Sequence, residues 1–379
     1  MIKVLTVSTY SPGSRGFGGI STSVGHYLSA LERLQIESSY FGSAGTLGGS
    51  LSKEYLSGKY RKTRVFLYAP SMHKKWGIGV GAFRLFYHVI RNEYIFIHGA
   101  RTFITVLCGL ISRLCRKRYA VVAHAALDRQ RMNRTRQKHP ILFPITEPFV
   151  RAAILGAESL IVSGPLEKTA IGEAYLRKNL VEIENFFNFK LPYQEPVYFN
   201  ISHYYTFVGR FESDKGILAF MKVWKDVAKP NSKLTLVGMG QGSYANSVIE
   251  EAKTDTRIDL VGEVNSESVK DILIRSHVLV LPTGLDAPVT ENFGNVVAES
   301  LSCSRPALVT KGLHWDKYEK YPCILRFPPD VEGVRRAIVE FEEMDEKYYN
   351  QLCHEAYLLS AKFSIDDAVP KLENILARG

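Results

Sequence analysis

From end to end the chain alternates short runs of apolar, β-branched residues with longer stretches whose apolar residues recur at helical spacing, and this rhythm restricts its fold more than any other feature. In the first half the candidate strands are Ile2–Ser8, Tyr94–Ile97, Tyr119–Ala123, Ser159–Val162 and Val181–Asn185. The second half offers Tyr204–Val208, Lys233–Val237, Ile258–Val261, Val278–Leu281, Ala307–Thr310 and Ile324–Phe327. Segments such as Thr22–Leu34 and Val269–Ser276 carry the helical spacing. Strand, helix, strand in this order predicts parallel sheets covered by helices on both faces. The segment Phe186–His203 is rich in Pro, Asn and aromatics, has no clear period, and is followed by a restart of the alternation. An α/β fold of two Rossmann-like domains is therefore expected, over residues 1–188 and 189–362, with the last helix (about 363–379) packing back on the first. In such a layout ligands lie at the carboxyl ends of the strands, here expected to face across a cleft.

Composition narrows the function classes. The five cysteines, Cys108, Cys115, Cys303, Cys323 and Cys353, are scattered and form no CxxC pair, against both a disulfide framework and a zinc site. The opening MIKVLTVSTYSPG is strand-like, without the basic, apolar, small-residue order of a leader, so the cytoplasm is the expected compartment. Tyr94–Cys115, the most apolar stretch, is interrupted by His98, Arg101 and Arg113 and falls short of a membrane span of about 20 residues. A G-x-S-x-G elbow and a Walker A sequence are absent, which removes serine hydrolases and P-loop NTPases. No H-E-x-x-H or other ligand cluster appears, so no metal or other cofactor is expected.

The strongest chemical signal is Val278-Leu-Val-Leu-Pro282-Thr-Gly-Leu-Asp-Ala-Pro-Val-Thr-Glu291-Asn-Phe293-Gly294-Asn295-Val-Val-Ala-Glu299. It reads as a buried strand, a loop, and a helix opening near Gly294, whose free amides suit a diphosphate. The eight residues from Glu291 to Glu299 span about 12 Å of helix, so the two carboxylates can meet a nucleotide sugar at hexose and ribose. A second signal, Tyr205-Thr-Phe-Val-Gly209-Arg210-Phe-Glu-Ser-Asp-Lys215-Gly216, puts two cations at a strand–helix junction, where they can neutralise a diphosphate leaving group. An ordinary basic surface turn fits those residues as well. Gly18-Gly19 after the first strand permits close backbone approach to a ligand, yet no full G-x-G-x-x-G supports a nicotinamide site. Val237-Gly238-Met-Gly240 and Val261-Gly262-Glu-Val264 read either as tight turns or as main-chain contacts to base and ribose. His98 and His124 each follow an apolar strand and are candidates for a ligand-facing edge.

With these residues together, the chain resembles the retaining GT-B-fold glycosyltransferases of glycosyltransferase family 4, in the form found among bacterial surface-polysaccharide enzymes. Glu291 to Glu299 is similar to that family's E-x7-E signature, Gly209-Arg210 with Lys215-Gly216 to its donor-phosphate motif, Gly18-Gly19 to its first-loop glycines, and His124 to its first-domain histidine. Thr310-Lys-Gly-Leu-His-Trp315 is similar to a variant in the surface-polysaccharide members. The resemblance implies that Arg210 and Lys215 hold the diphosphate and that Glu291 meets the sugar and Glu299 the ribose. It also implies that amides of Phe293, Gly294 and Asn295 complete the phosphate site, that Gly19, Gly238, Gly262 and Val264 line the donor, and that Gly18, Gly19 and His124 meet the acceptor. On this reading Glu291, His124, Arg210 and Lys215 are the catalytic set, no metal is needed, configuration is retained, and UDP is preferred over GDP. Three places depart from the pattern: Asn185-Phe-Phe-Asn188, Ala125 after His124, and Ser304-Arg305-Pro306-Ala307.

Charge points to the acceptor side. Residues 1–190 carry a balance of +16 and the remainder −6. Nine cations lie in 113–138 with one acid, Asp128. Such a half suits an anionic partner, here a lipid-diphosphate-linked glycan on an anionic membrane surface, and a solvated basic face is the plainer alternative. Two other readings remain: a nucleotide-sugar epimerase or hydrolase on the same scaffold, and a nucleic-acid-binding protein. The last lacks any RNP, KH or helix-turn-helix pattern, and no nucleic acid is expected as partner.

Overall fold

The structure, a computed structural model, describes residues 2–12, 18–44, 53–68, 84–124, 126–127, 129–175, 179–188, 191–197, 202–287 and 293–378. The chain divides into two compact units, Met1–Phe189 with Ser364–Gly379, and Lys190–Phe363. The expected α/β class, with two units each built on a parallel sheet, is what forms.

The first unit runs β1 (Lys3–Ser8), α1 (Gly18–Arg33), β2 (Glu37–Ser43), α2 (Lys53–Lys59), β3 (Thr63–Tyr68), α3 (Leu85–Arg91), β4 (Tyr94–His98), α4 (Phe103–Leu114), β5 (Arg118–Val122), α5 (Arg129–Lys138), α6 (Leu142–Gly156), β6 (Ser159–Val162), α7 (Pro165–Tyr175) and β7 (Leu180–Glu182). Its strands form one parallel sheet in the order β3-β2-β1-β4-β5-β6-β7. Alternation of side chains decides which helices cover which face. Leu5, Val7, Ile95, Ile97, Tyr119 and Val121 pack under α3, α4, α6 and α7. Val4, Tyr94, Phe96, Ala120 and Val122 point the other way, against Tyr27 and Leu31 of α1 and Leu372 and Ile375 of α14 (Ile365–Ala377).

Sequence patterning did not single out β2 and β3. β2 reads ESSYFGS, too polar for a buried strand by composition, yet Ser38 and Ser43 are buried. Their burial is tolerated because each hydroxyl or carbonyl finds a partner: Ser38 Oγ lies 2.7 Å from Thr63 Oγ1, and Ser11 Oγ donates to the Ser43 carbonyl at 2.6 Å.

The second unit runs β8 (Tyr204–Val208), a short 3₁₀ turn Ser213–Lys215, α8 (Ile217–Val227), β9 (Lys233–Val237), α9 (Ser243–Lys253), β10 (Ile258–Gly262), α10 (Ser266–Ile274), β11 (Val278–Leu281), α11 (Asn295–Ser302), β12 (Ala307–Thr310), β13 (Ile324–Phe327), α12 (Val331–Glu342) and α13 (Glu346–Ser360). Its parallel sheet has the order β10-β9-β8-β11-β12-β13. Two buried charges tie this unit together. Glu342 accepts from Tyr205 Oη (3.1 Å), Ser232 Oγ (2.7 Å) and the Lys229 amide (2.7 Å). Arg305 donates to the carbonyls of Ile274, Ser304, Gln194 and Glu195, so it clamps the extended segment 191–197 onto the second sheet's helices.

Both sheets reverse strand order beside their first strand, between β1 and β4 and between β8 and β11. Loops leaving such a pair of strands diverge and open a crevice at the carboxyl edge. The glycine–arginine–lysine segment follows β8 and the glutamate segment follows β11, so topology sets the starts of these two segments side by side.

Candidate functional site

In the second unit the loops after β8, β9 and β11 are joined backbone to backbone. The Gly209 amide donates to the Val237 carbonyl and the Phe211 amide to the Met239 carbonyl, at 2.9 and 3.0 Å. Gly238 has φ +137°, and a Cβ built there would stand 1.9 Å from the Gly209 oxygen. Gly216 has φ +68° and the same problem against the Pro282 oxygen, at 2.0 Å. The Gly284 amide donates to the Asp214 carbonyl at 3.2 Å. Only glycine lets these strands of chain approach so closely, and the approach holds the segment Arg210–Lys215 against the loop leaving β11.

Lys215 is half-buried at the end of the 3₁₀ turn, whereas Arg210 is exposed and donates to Glu212 Oε1 at 2.5 Å. An exposed pair of this kind contributes at most about 1 kcal/mol. Arg210 can exchange it for an anion at little cost.

On the β11 side, Gly294 in the left-handed region (φ 69°) turns the chain into α11. The entry is held rigidly. The Phe293 ring is buried against His314, Trp315 and Phe363, and the Trp315 indole N–H donates to the Phe293 carbonyl at 2.6 Å. Burying that ring stabilises the turn by about 2–3 kcal/mol. The Phe293 ring and carbonyl are thus committed to packing, and the amides at the start of α11 are what this element can offer an anion. Glu291 lies outside the described residues, as does Ala125. Gly262 ends β10 at φ +79° and its carbonyl accepts from the Gly238 amide at 2.8 Å, so Gly209, Gly238 and Gly262 line one sheet edge. Val264 immediately precedes Asn265, whose side chain caps α10.

Glu299 sits on the second turn of α11, half-buried, and burial pushes its carboxyl up to about 7, with Lys270 opposing. Against its ordinary value of 4.5, the folded chain keeps this proton while the unfolded chain releases it. Stability falls as pH rises from 4.5 to 7 and levels off above, by about 3 kcal/mol for this group. Glu299→Gln should erase that contribution, so denaturant unfolding at pH 5 and pH 8 should show the variant gaining on the parent at the higher pH. Parallel pH profiles would contradict it.

In the first unit Gly18 and Gly19 are the first residues of α1, after the loop leaving β1. The described start of that loop is moored by Ser21 Oγ donating to the Ser11 carbonyl at 2.7 Å and by Thr9 Oγ1 lying 2.6 Å from Thr102 Oγ1 in the loop after β4. His98 ends β4 and His124 follows β5, and the sheet joins them: His98 Nδ1 and His124 Nε2 are 2.9 Å apart. Burial holds both rings neutral, with His124 pushed down to about 4 and His98 also well below its ordinary value.

Sequence reading missed Asp286 and Tyr244. Tyr244 Oη donates to Asp286 Oδ2 at 2.7 Å and accepts from the Leu218 amide at 3.2 Å, while the Ala219 amide donates to the same Asp286 oxygen at 3.2 Å. The amides of Leu218 and Ala219 opening α8 are thereby occupied by protein groups. Asp286 was in view inside the motif, but its partners lie 42 and 67 residues away. Among the described residues no group of three or more His, Cys, Asp or Glu is placed to hold a metal.

Residues 202–341 match the family described as Glycosyl transferases group 1. Among curated proteins, the chain is 26% identical over 107 residues to the phosphatidylinositol N-acetylglucosaminyltransferase gpi3 subunit of Schizosaccharomyces pombe, covering 27% of this chain and 22% of that protein. It is 24% identical over 225 residues to the uncharacterized glycosyltransferase MJ1178 of Methanocaldococcus jannaschii, covering 58% of this chain and 60% of that protein. These matches span less than two thirds of either relative. Solved structures of similar shape include Anabaena Alr3699/HepE in complex with UDP and glucose, at TM-score 0.75, 13% identity and full coverage of both chains. WaaG, a glycosyltransferase involved in lipopolysaccharide biosynthesis, is similar at TM-score 0.68 and 12% identity, again with full coverage of both. The chain therefore has the GT-B fold, and its residues 202–341 match the family described as Glycosyl transferases group 1.

Proposed function

We propose that this protein transfers a hexose from a nucleotide diphosphate sugar, UDP in preference to GDP, to an acceptor hydroxyl with retention of configuration and without a metal. The observation that carries the reading is the glycine-only contact of Gly216 with Pro282, which holds the Arg210–Lys215 segment against the loop leading to Glu291 and α11. In this mechanism Arg210, Lys215 and the amides opening α11 hold the diphosphate. The bond from the sugar's anomeric carbon to the phosphate oxygen breaks, the acceptor oxygen bonds to that carbon on the same face, and the acceptor proton passes to the departing phosphate. Glu291 is assigned to the sugar hydroxyls and Glu299 to the ribose, and neither is a nucleophile. The UDP held by the similarly folded HepE supports the choice of nucleotide.

The acceptor is proposed to be a lipid-linked glycan at the inner face of an anionic membrane. Ile141, Ile145 and Phe149, spaced by four along α6 and its approach, are 75%, 57% and 54% exposed, and Arg136 and Lys138 of α5 are exposed close by in sequence. Apolar side chains rimmed by cations suit an anionic lipid surface. Among the described residues no helix is long and apolar enough to cross a membrane.

A melting panel of nucleoside diphosphates tests the donor. UDP at one hundred times its Kd should stabilise the protein by about 2.7 kcal/mol, and no shift with any nucleotide would overturn the reading. Donor consumed without acceptor, with epimerised sugar, would instead favour the epimerase reading. In the same preparation, flotation with vesicles should require anionic lipid and low salt; binding indifferent to both would remove the membrane.

A further inference from the structure

The pairing of His98 with His124 has a direction, and the direction decides what His124 can do. His98 is 1% exposed, its Nδ1 meets His124 Nε2 at 2.9 Å, and its own Nε2 has no partner among the described residues. One hydrogen lies between the two rings. If His124 supplies it, His98 must carry its own proton on Nε2, a buried N–H whose neighbouring ring, Tyr27 at 4.6 Å and nearly perpendicular, offers at most a π face. A buried N–H without an acceptor is the costlier orphan; a buried lone pair is tolerated better. The hydrogen therefore belongs to His98 Nδ1, which leaves His124 protonated on Nδ1.

His124 Nδ1 has no partner among the described residues, and the residue is held at φ +48°, a left-handed conformation that costs a non-glycine residue about 1–2 kcal/mol. Strain of this kind persists where surrounding contacts impose it. Here those contacts are the Gly99 amide on the Val122 carbonyl and the Ala123 amide on the Ile161 carbonyl, which fix the ends of β4, β5 and β6 relative to one another.

We propose that His98 is a positioning residue that donates from Nδ1 to His124 and fixes the tautomer in which His124 presents an Nδ1–H, so that His124 meets a substrate hydroxyl as a hydrogen-bond donor and not as a base. The role in turnover rests on the sugar-transfer reading above; the tautomer does not. Because burial keeps both rings neutral near pH 7, the donor is present throughout the physiological range.

Nitrogen-15 NMR of the full chain labelled at histidine, without substrate, should show His124 protonated on Nδ1 and bare on Nε2, with no titration between about pH 6 and 8. Protonation on His124 Nε2 would overturn the proposal. In turnover, His98→Asn places an amide N–H where Nδ1–H was and should keep kcat within about threefold, whereas His98→Leu should lower kcat about tenfold or more with little change in KM for the nucleotide sugar. Equal activity in the Asn and Leu variants would also overturn it. Should the chain turn over no nucleotide sugar at all, the sugar-transfer reading fails and the spectrum alone decides the tautomer.

Discussion

Lys215→Ala should lower kcat for sugar transfer by about 10²–10³-fold, the loss seen when one preorganised charge facing a developing anion is removed. The diphosphate gains charge as the glycosidic bond breaks, so a cation fixed beside it favours the transition state over the bound donor. Lys215 suits this role because it is half-buried at the end of a 3₁₀ turn whose shape comes from main-chain contacts, Gly216 on Pro282 and Asp214 on Gly284. The melting temperature should accordingly change little. Glu291→Ala should be comparably inactive, and Arg210→Ala, truncating an exposed side chain, should cost less than either. Steady-state kinetics on a matched donor and acceptor check all three; a Lys215→Ala enzyme with parental kcat and KM would remove the diphosphate from this loop.

Gly238→Ala should destabilise the second unit by about 3 kcal/mol or more, because the new methyl would sit 1.9 Å from a backbone oxygen that has no rotamer to escape into. The expected fall in melting temperature is roughly 10 °C. Gly262→Ala provides the contrast. It shares a positive φ, +79°, but no atom lies within 4 Å of its built Cβ, so only the conformational cost of about 1 kcal/mol remains. Equal destabilisation of the two variants in thermal or urea unfolding would show that the close approach of the β8 and β9 loops is not what makes Gly238 necessary.

The architecture was largely readable because buried parallel strands must be apolar along their whole length. Val278–Leu281 and Ala307–Thr310 are buried at every position and stood out in the sequence. β2 did not, since its serines enter the sheet through hydrogen bonds to Thr63 and Ser11, partners that no local window contains. Site candidates followed the same division. Motif spacing marked Arg210, Lys215, Gly294 and Glu299, whose relations are short-range along the chain. The clasp of Tyr244 and Asp286 on the start of α8, the contact of Gly238 with Gly209, and the bond between His98 and His124 bridge 26 to 67 residues and have no periodic trace.

Taken alone, the sequence determined that two parallel sheets would form and that glycines and cations would collect after strand ends, because periodicity and turn chemistry act over a few residues. Tertiary structure decided which strand ends are neighbours, which glycines are indispensable, which protein groups occupy the amides opening α8, and how burial sets the protons on Glu299, His98 and His124. Those outcomes depend on strand order and on exclusion of water, and both arise only when distant segments pack together.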